Sequence, residues 1–477
     1  MRKVGEMDAK IFFGSKEAVK EEWIEIKAPY TNEVVSRYPK CNGEDAKKAL
    51  KIAKEAFKES RKSLLSQRVK WLEDVIQKLK SQREDFAKTI TNEVGKPIQF
   101  SLIEVDRCIE TISLSISAAI EEAGETFNSD AMPSGRKTIS FYKRVPVGVV
   151  VAITPFNFPL NLVAHKIAPA LVAGNSVVLK PTPEAPLTAY KFAKLFIESP
   201  FAIKDALSVV YGDAEVGSAL VTSDIPRVIS FTGSVPVGNI ITKSAGIKKV
   251  SLELGGNAAT FIERSADLKN AAAKCAIGSF YNSGQVCISL QRIYVDEKVY
   301  DEFAKYLVNE TKKLKIGDPY DKDTFLGPLI NEDAVKRAKN WVDSAVKEGA
   351  KVLLGNKAEG KIFYPTIMGD VTDDMKIVCE EVFAPIVSLV KVKDFDEAIE
   401  KINNSPYGLQ YSIFTNDLNL TKRAIEEFEC GGVVINDIPT LRFDIQPYGG
   451  VKLSGIGREG PKFALEEFTE IKSIVIC

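Results

Sequence analysis

Between residues 147 and 254 the chain alternates short apolar runs with segments of helical period, and that alternation permits few folds. Runs at 147–153, 176–179, 207–211, 227–231 and 249–254 are each short and largely apolar, as the strands of a buried sheet are. The stretches between them, 160–172, 187–197, 214–221 and 238–245, repeat apolar residues at helical spacing. Strands buried on both faces and separated by helices specify a parallel, doubly wound sheet. Such a sheet takes its ligand beyond the carboxyl ends of its strands.

The rest of the chain is arranged around this unit. Residues 43–95 carry helical periodicity (Leu50, Ala53 and Phe57, then Val69, Leu72, Val75, Ile76 and Leu79), stopped by Gly95 and Pro97. A further helix is expected over 103–119. Residues 120–145 pass through a turn cluster at Ser129, Pro133, Ser134 and Gly135 into an alternating strand at 138–143, which reads as an excursion ending in a hairpin. A second α/β pattern fills about 258–440, with a strand at 291–295 and a helix at 298–313, and 470–476 reads as one more strand. There is no internal repeat. A chain of 477 residues exceeds one compact core, so several domains are expected.

Charge and composition exclude several functions. Lys+Arg and Asp+Glu both number 64, which removes the global attraction for nucleic acid or an anionic membrane. No apolar run approaches the ~20 residues of a membrane span, and residues 1–10 lack the apolar centre of a signal peptide, so a cytoplasmic protein is the expectation. Seven scattered cysteines without a CxxC pair, and a single histidine, argue against a disulfide framework and against a metal site.

Four motifs carry chemistry. Leu252-Glu253-Leu254-Gly255-Gly256-Asn257 puts a carboxylate at a strand end, followed by paired glycines that allow close backbone approach. Asn282-Ser283-Gly284-Gln285-Val286-Cys287 puts a thiol after a small, flexible stretch. The 34 residues between Glu253 and Cys287 (287 − 253) hold one strand and one helix, enough to return the chain to the same cleft. Thr154-Pro155-Phe156-Asn157-Phe158-Pro159 follows the first strand of the sheet, and Phe231-Thr232-Gly233-Ser234-Val235-Pro236-Val237-Gly238 joins a strand to a helix whose free N–H groups suit a phosphate. Each alone also reads blandly: a surface glutamate, a buried cysteine, an ordinary turn. Gly455-Ile456-Gly457-Arg458-Glu459-Gly460 matches GxGxxG but has no βαβ unit around it, so it is not the dinucleotide fingerprint.

In this order and spacing the four motifs resemble the aldehyde dehydrogenase superfamily. The likeness extends to Glu380-Glu381-Val382-Phe383-Ala384-Pro385 and to the segment 447–455, and it spans about residue 22 to Cys477. Within the superfamily the chain is most similar to the archaeal lactaldehyde dehydrogenases. The resemblance implies a Rossmann-like doubly wound cofactor domain (1–119 and 146–254), an α/β catalytic domain (255–456) and a small β oligomerisation element (120–145 and 457–477), in a homodimer or homotetramer. It implies Cys287 as nucleophile, Glu253 as the base that activates water, and Asn157 with the Cys287 backbone N–H as oxyanion hole.

For an NAD or NADP cofactor it implies Thr154, Pro155, Phe156, Lys180, Pro183, Glu184, Gly212 and Gly217. It adds Phe231, Thr232, Gly233, Ser234, Val237, Leu254, Gly255, Glu381 and Phe383. Where NAD-preferring relatives carry a ribose-binding glutamate this chain has Pro183, with Glu184 displaced by one, so the loss of a carboxylate is expected to admit NADP. Ala384 stands where the family has glycine. For the substrate it implies Arg107, Phe158, Val286, Ile288 and Arg442. Arg107 is either a solvated helix arginine or the anchor of an anionic aldehyde. Val286 and Phe158 depart from the arginine and tyrosine of some relatives acting on phosphorylated substrates, which favours a small hydroxyaldehyde such as lactaldehyde or glyceraldehyde. A semialdehyde, or glyceraldehyde 3-phosphate, is the alternative. His165 is expected to be structural. No metal is expected.

Overall fold

The computed structural model describes residues 8–477; residues 1–7 of the stretch judged for a signal peptide lie outside the described residues. An eight-stranded sheet runs in the order Lys16–Ala18, Ile11–Phe13, Leu207–Val209, Ser176–Lys180, Val149–Ile153, Pro226–Thr232, Lys249–Glu253, Gly455–Ile456. Its five central strands are parallel, as the sequence pattern requires. The register aligns their carboxyl ends: Ile153 pairs with Lys180 and with Phe231, and Thr232 with Glu253. The residues of three of the four motifs therefore leave the sheet along one edge.

Helices cover both faces. Gly43–Ser60, Leu65–Ser81 and Arg83–Val94 divide the region read as one helical stretch. Asn42 accepts from the Glu44 and Asp45 N–H groups while Asp45 returns a bond to the Asn42 N–H, which fixes the first of them. Gly95, at φ +70°, ends the third in the left-handed conformation. The helix expected over 103–119 begins earlier, directly behind Pro97, as Ile98–Glu121. Asn161–Val172 is buried along its whole length, including His165 and Lys166. Helix ends so deep need partners: the Glu104 carboxylate, paired with buried Lys96, accepts from the Leu160 and Asn161 N–H groups at 2.9 and 3.1 Å.

A second sheet of seven strands runs Lys351–Leu354, Thr366–Gly369, Ile386–Val392, Leu290–Asp296, Ala258–Ile262, Gln410–Phe414, Gly432–Ile435. All but Lys351–Leu354 are parallel. Thr469–Ile476 pairs along its whole length with Ile139–Pro146, and Thr126–Phe127 completes this three-stranded sheet. Two late segments sit apart from the units read in sequence. Gly455–Ile456 lies antiparallel on Lys249–Glu253, and so joins the first sheet. Pro461–Glu467 packs on Ile98–Glu121 and Asn161–Val172, putting Ala464, Leu465 and Phe468 into the first core rather than beside the hairpin. Among the described residues no helix is long and apolar enough to cross a membrane.

Candidate active site

Two cavities flank the carboxyl edge of the first sheet. The larger, about 530 Å³, is lined by Thr154, Pro155, Lys180, Pro183, Glu184, Gly212, Gly217, Phe231, Thr232, Gly233, Ser234 and Val237, twelve of the residues expected to bind a cofactor. Lys180 is almost fully buried, and among the described residues its ammonium makes no hydrogen bond or ion pair. Burial pulls its ammonium below the ordinary lysine range, against the pull of Glu184 and Asp213. A buried cation without a direct partner suits an oxygen-rich ligand. The helix Val235–Ser244 also starts here, and Ser234 makes no side-chain capping bond, so its first N–H groups are free for a phosphate. The residues present thus fit a dinucleotide.

One expectation changes. The carboxylate that Pro183 was taken to remove is still in this cavity, because Glu184 lines it and accepts a hydrogen bond from the Thr182 hydroxyl.

Phe156, Leu254, Gly255, Glu381 and Phe383 do not line that cavity. The Gly256 N–H donates to Glu381 Oε1 at 3.1 Å, and a side chain on Gly255 would collide with the same carboxylate. Burial pushes Glu381 up to about 7. Phe383, at φ +46°, meets Phe156 edge-on with ring centroids 5.9 Å apart.

The smaller cavity, about 270 Å³, is lined by Cys287 together with all five expected substrate residues, Arg107, Phe158, Val286, Ile288 and Arg442. The thiol is carried on a tight loop: Asn282 and Ser283 take positive φ (49° and 57°), and the Ser283 hydroxyl donates to the Gly327 carbonyl. The Glu253 motif packs directly against this loop. A Cβ on Gly256 would come within 2.7 Å of the Cys287 carbonyl oxygen, which is why the second of the paired glycines cannot carry a side chain. Asn157 closes the third side. Its Nδ2 donates to the Gln285 carbonyl at 3.0 Å, leaving the second N–H of the amide free. The Cys287 backbone N–H makes no hydrogen bond among the described residues.

Glu253 is 3% exposed, and neither carboxylate oxygen has a hydrogen-bond partner. Burial, then the nearby Glu459 charge, holds its carboxyl well above the ordinary range, against Lys166, Arg442 and Arg458. Burial likewise pushes the Cys287 thiol up to about 11, opposed first by the Tyr448 hydroxyl and then by Arg442.

Arg107 does not stand free. Its Nε and Nη2 donate to both oxygens of Asp444 at 3.0 and 2.7 Å. Arg442 is shared between Glu459 (3.0 Å) and Asp444 (3.3 Å). His165 hydrogen-bonds Asp444 through Nε2 at 3.1 Å and makes no contact with the thiol, so it orients this ion cluster. Tyr448, Asp444, Glu459 and Lys166 were not singled out in the sequence. Tyr448 lay inside the Pro447-Tyr448-Gly449-Gly450 segment, and Glu459 inside the rejected GxGxxG. Among the described residues no group of histidine, cysteine and carboxylate side chains could hold a metal ion.

Comparison with known proteins identifies the family. The aldehyde dehydrogenase family profile matches residues 15–474. The 3-sulfolactaldehyde dehydrogenase of Priestia aryabhattai is 44% identical over 456 residues, 95% of each chain. The lactaldehyde dehydrogenase of Methanococcus aeolicus is 42% identical over 458 residues, 95% of this chain and 97% of that one. The crystal structure of glyceraldehyde-3-phosphate dehydrogenase GapN from Methanocaldococcus jannaschii, complexed with NADP, superposes with a TM-score of 0.91 at 39% identity, over 96% of this chain and 99% of that one. The chain belongs to the aldehyde dehydrogenase family.

Proposed function

We propose that this member of the aldehyde dehydrogenase family oxidises a small 2-hydroxyaldehyde, of the lactaldehyde or glyceraldehyde kind, to its carboxylate. The observation that carries the reading is Cys287 on the smaller cavity, with Asn157 bonded to the carbonyl two residues before it and an unbonded Glu253 whose charge reaches the thiol. An aldehyde carbon cannot readily lose hydride by itself. Addition of the Cys287 sulfur makes a tetrahedral thiohemiacetal, whose oxyanion sits between Asn157 Nδ2 and the Cys287 N–H. Two such donors stabilise the developing charge, each by about 2.7–4 kcal/mol. Collapse of the oxyanion expels hydride and leaves a thioester on sulfur. NAD or NADP, bound in the larger cavity by Lys180 and the turn at Gly233 and Ser234, supplies the hydride acceptor. Glu253 then takes a proton from water, which attacks the thioester and releases the acid. Its raised affinity for protons suits a base that works near neutrality.

A second reading is favoured by Arg107 and Arg442, which both face the cavity. An aldehyde with an anionic far end, as in the sulfolactaldehyde of one relative's name or in succinate semialdehyde, would meet Arg107. Asp444 and Glu459 already neutralise both guanidinium groups, which supports the neutral hydroxyaldehyde as first choice. Exposed Phe127, Ile139, Ile471 and Val475 on the three-stranded sheet support assembly as a dimer or tetramer.

Steady-state formation of NADH and NADPH with lactaldehyde, glyceraldehyde, glyceraldehyde 3-phosphate, 3-sulfolactaldehyde and succinate semialdehyde tests the proposal beside a Cys287→Ala control. Turnover that the control abolishes is expected, with the highest kcat/KM on lactaldehyde or glyceraldehyde. A best substrate with a charged end selects the second reading. Activity retained in Cys287→Ala removes the mechanism.

A further inference from the structure

Among the described residues one polar side chain lies against the Cys287 sulfur, and it comes from far along the chain. The Tyr448 hydroxyl lies 2.8 Å from Sγ. The Arg442 guanidinium lies over the face of the same ring, 3.8 Å from its centroid. Glu459 and Asp444 hold Arg442 in that position, at 3.0 and 3.3 Å. Tyr448 is buried and the Arg442 side chain is 10% exposed, both at the cavity where the thiol opens.

We propose that Tyr448 is a further catalytic residue, whose hydroxyl donates a hydrogen bond to the Cys287 sulfur and eases its conversion to the thiolate that attacks the aldehyde, with Arg442 as the positioning residue that polarises the phenol. The direction of the bond follows from relative acidity. Burial, and then the neighbouring sulfur, place the phenol well above its ordinary range, so the thiol loses its proton first and the phenol keeps its own. Among the charged groups that face the sulfur, Glu381 and Glu253 both oppose thiolate formation, while Tyr448 and Arg442 favour it. The two carboxylates come from the 253–257 and 380–385 loops and the two favourable groups from the 440–450 segment, so one stretch of chain carries the activation. A cation stacked on an aromatic face withdraws electron density from it, which strengthens the O–H as a donor.

The idea rests on Cys287 being the nucleophile, and its test is therefore read without turnover. In the cofactor-free protein, iodoacetamide alkylation of Cys287 is followed against pH by mass analysis of its peptide, because Cys379, Cys430 and Cys477 also reach solvent. A hydrogen bond to a charged group corresponds to about one pH unit or more. Tyr448→Phe, which removes a single oxygen, is expected to move the alkylation midpoint up by about that amount and to slow the reaction at pH 8 about tenfold. Turnover should show the same loss in kcat, with the aldehyde KM little changed. Arg442→Gln, which leaves the phenol and removes the cation, should move the midpoint in the same direction by less. An unmoved midpoint in either folded variant overturns the proposal. If the midpoint moves in both but Cys287→Ala still turns over, the hydrogen bond stands and the nucleophile assignment fails.

Discussion

Glu253 and Glu459 share one buried cluster, and only Glu459 is held there as an anion. Arg442 donates to Glu459 Oε2 at 3.0 Å and Lys166 reaches Oε1 at 3.5 Å, while both oxygens of Glu253 lack a partner. Burial raises Glu459, and the charges of His165, Lys166 and Arg442 more than reverse that. For Glu253 burial and the Glu459 charge act in the same direction. A base works in its ionised form, so hydrolysis rises with pH through the Glu253 pKa. Glu459→Gln removes a like charge and releases two cations, both of which lower that pKa. The acid limb for hydrolysis of a p-nitrophenyl ester is expected to move to lower pH by about one unit or more. A limb that stays put or moves up contradicts the coupling.

The division of labour between Cys287 and Glu253 predicts a burst. Glu253→Gln keeps the shape of the site but removes the proposed base. Rapid mixing should give about one equivalent of reduced cofactor per site, followed by a steady rate lower by about 10²–10⁴-fold. A full loss of the burst would assign Glu253 to thiol activation instead.

Glu184 lines the dinucleotide cavity beside Lys180, with its carboxylate held by Thr182. A 2′-phosphate placed near it meets like charge, whereas ribose hydroxyls can donate to it. Glu184→Gln is therefore expected to improve NADPH binding relative to NADH by about tenfold. Fluorescence titration of the reduced cofactors reads this ratio directly, without any aldehyde.

Asp444 ties Arg107, His165 and Arg442 together. Burial raises its carboxyl, but the His165 and Arg107 hydrogen bonds and the Arg442 charge hold it well below the ordinary range. The folded state thus binds this proton more weakly than the unfolded chain. Its stabilisation is present above about pH 4 and is lost as pH falls further. Asp444→Asn leaves Arg107 without its carboxylate and Arg442 with Glu459 alone, at a cost of about 1–3 kcal/mol. The urea midpoint at pH 7 is expected to drop, and the difference from the parent to shrink between pH 4 and pH 3.

The parallel sheet and the Cys287 and Glu253 loops were legible because their determinants are local. Strand period, paired glycines and the residues flanking the thiol all lie within a few positions of one another. The ion cluster was not legible, because its partners are remote: Arg107 and Asp444 are 337 positions apart, and Cys287 and Tyr448 are 161 apart. Nothing local in the Ile98–Glu121 helix says whether Arg107 meets water, a substrate or a carboxylate. The short strands at Ile11–Phe13 and Lys16–Ala18 were missed for another reason. The first is buried throughout and the second is mostly exposed, so neither shows an alternation of period two.

The strand Gly455–Ile456 has a consequence for synthesis. It hydrogen-bonds alongside Leu252 and Glu253, and Tyr448, Arg442 and Glu459 reach the site from the same late stretch. A ribosome emits the first sheet's parallel strands some two hundred residues before the segment that finishes the edge carrying the base. A nascent chain that has not reached this stretch still lacks Ala464, Leu465 and Phe468 from its first core, and its Glu253 strand has no neighbour on that edge. On the proposed mechanism, full reactivity toward aldehydes waits until residues 442–459 dock.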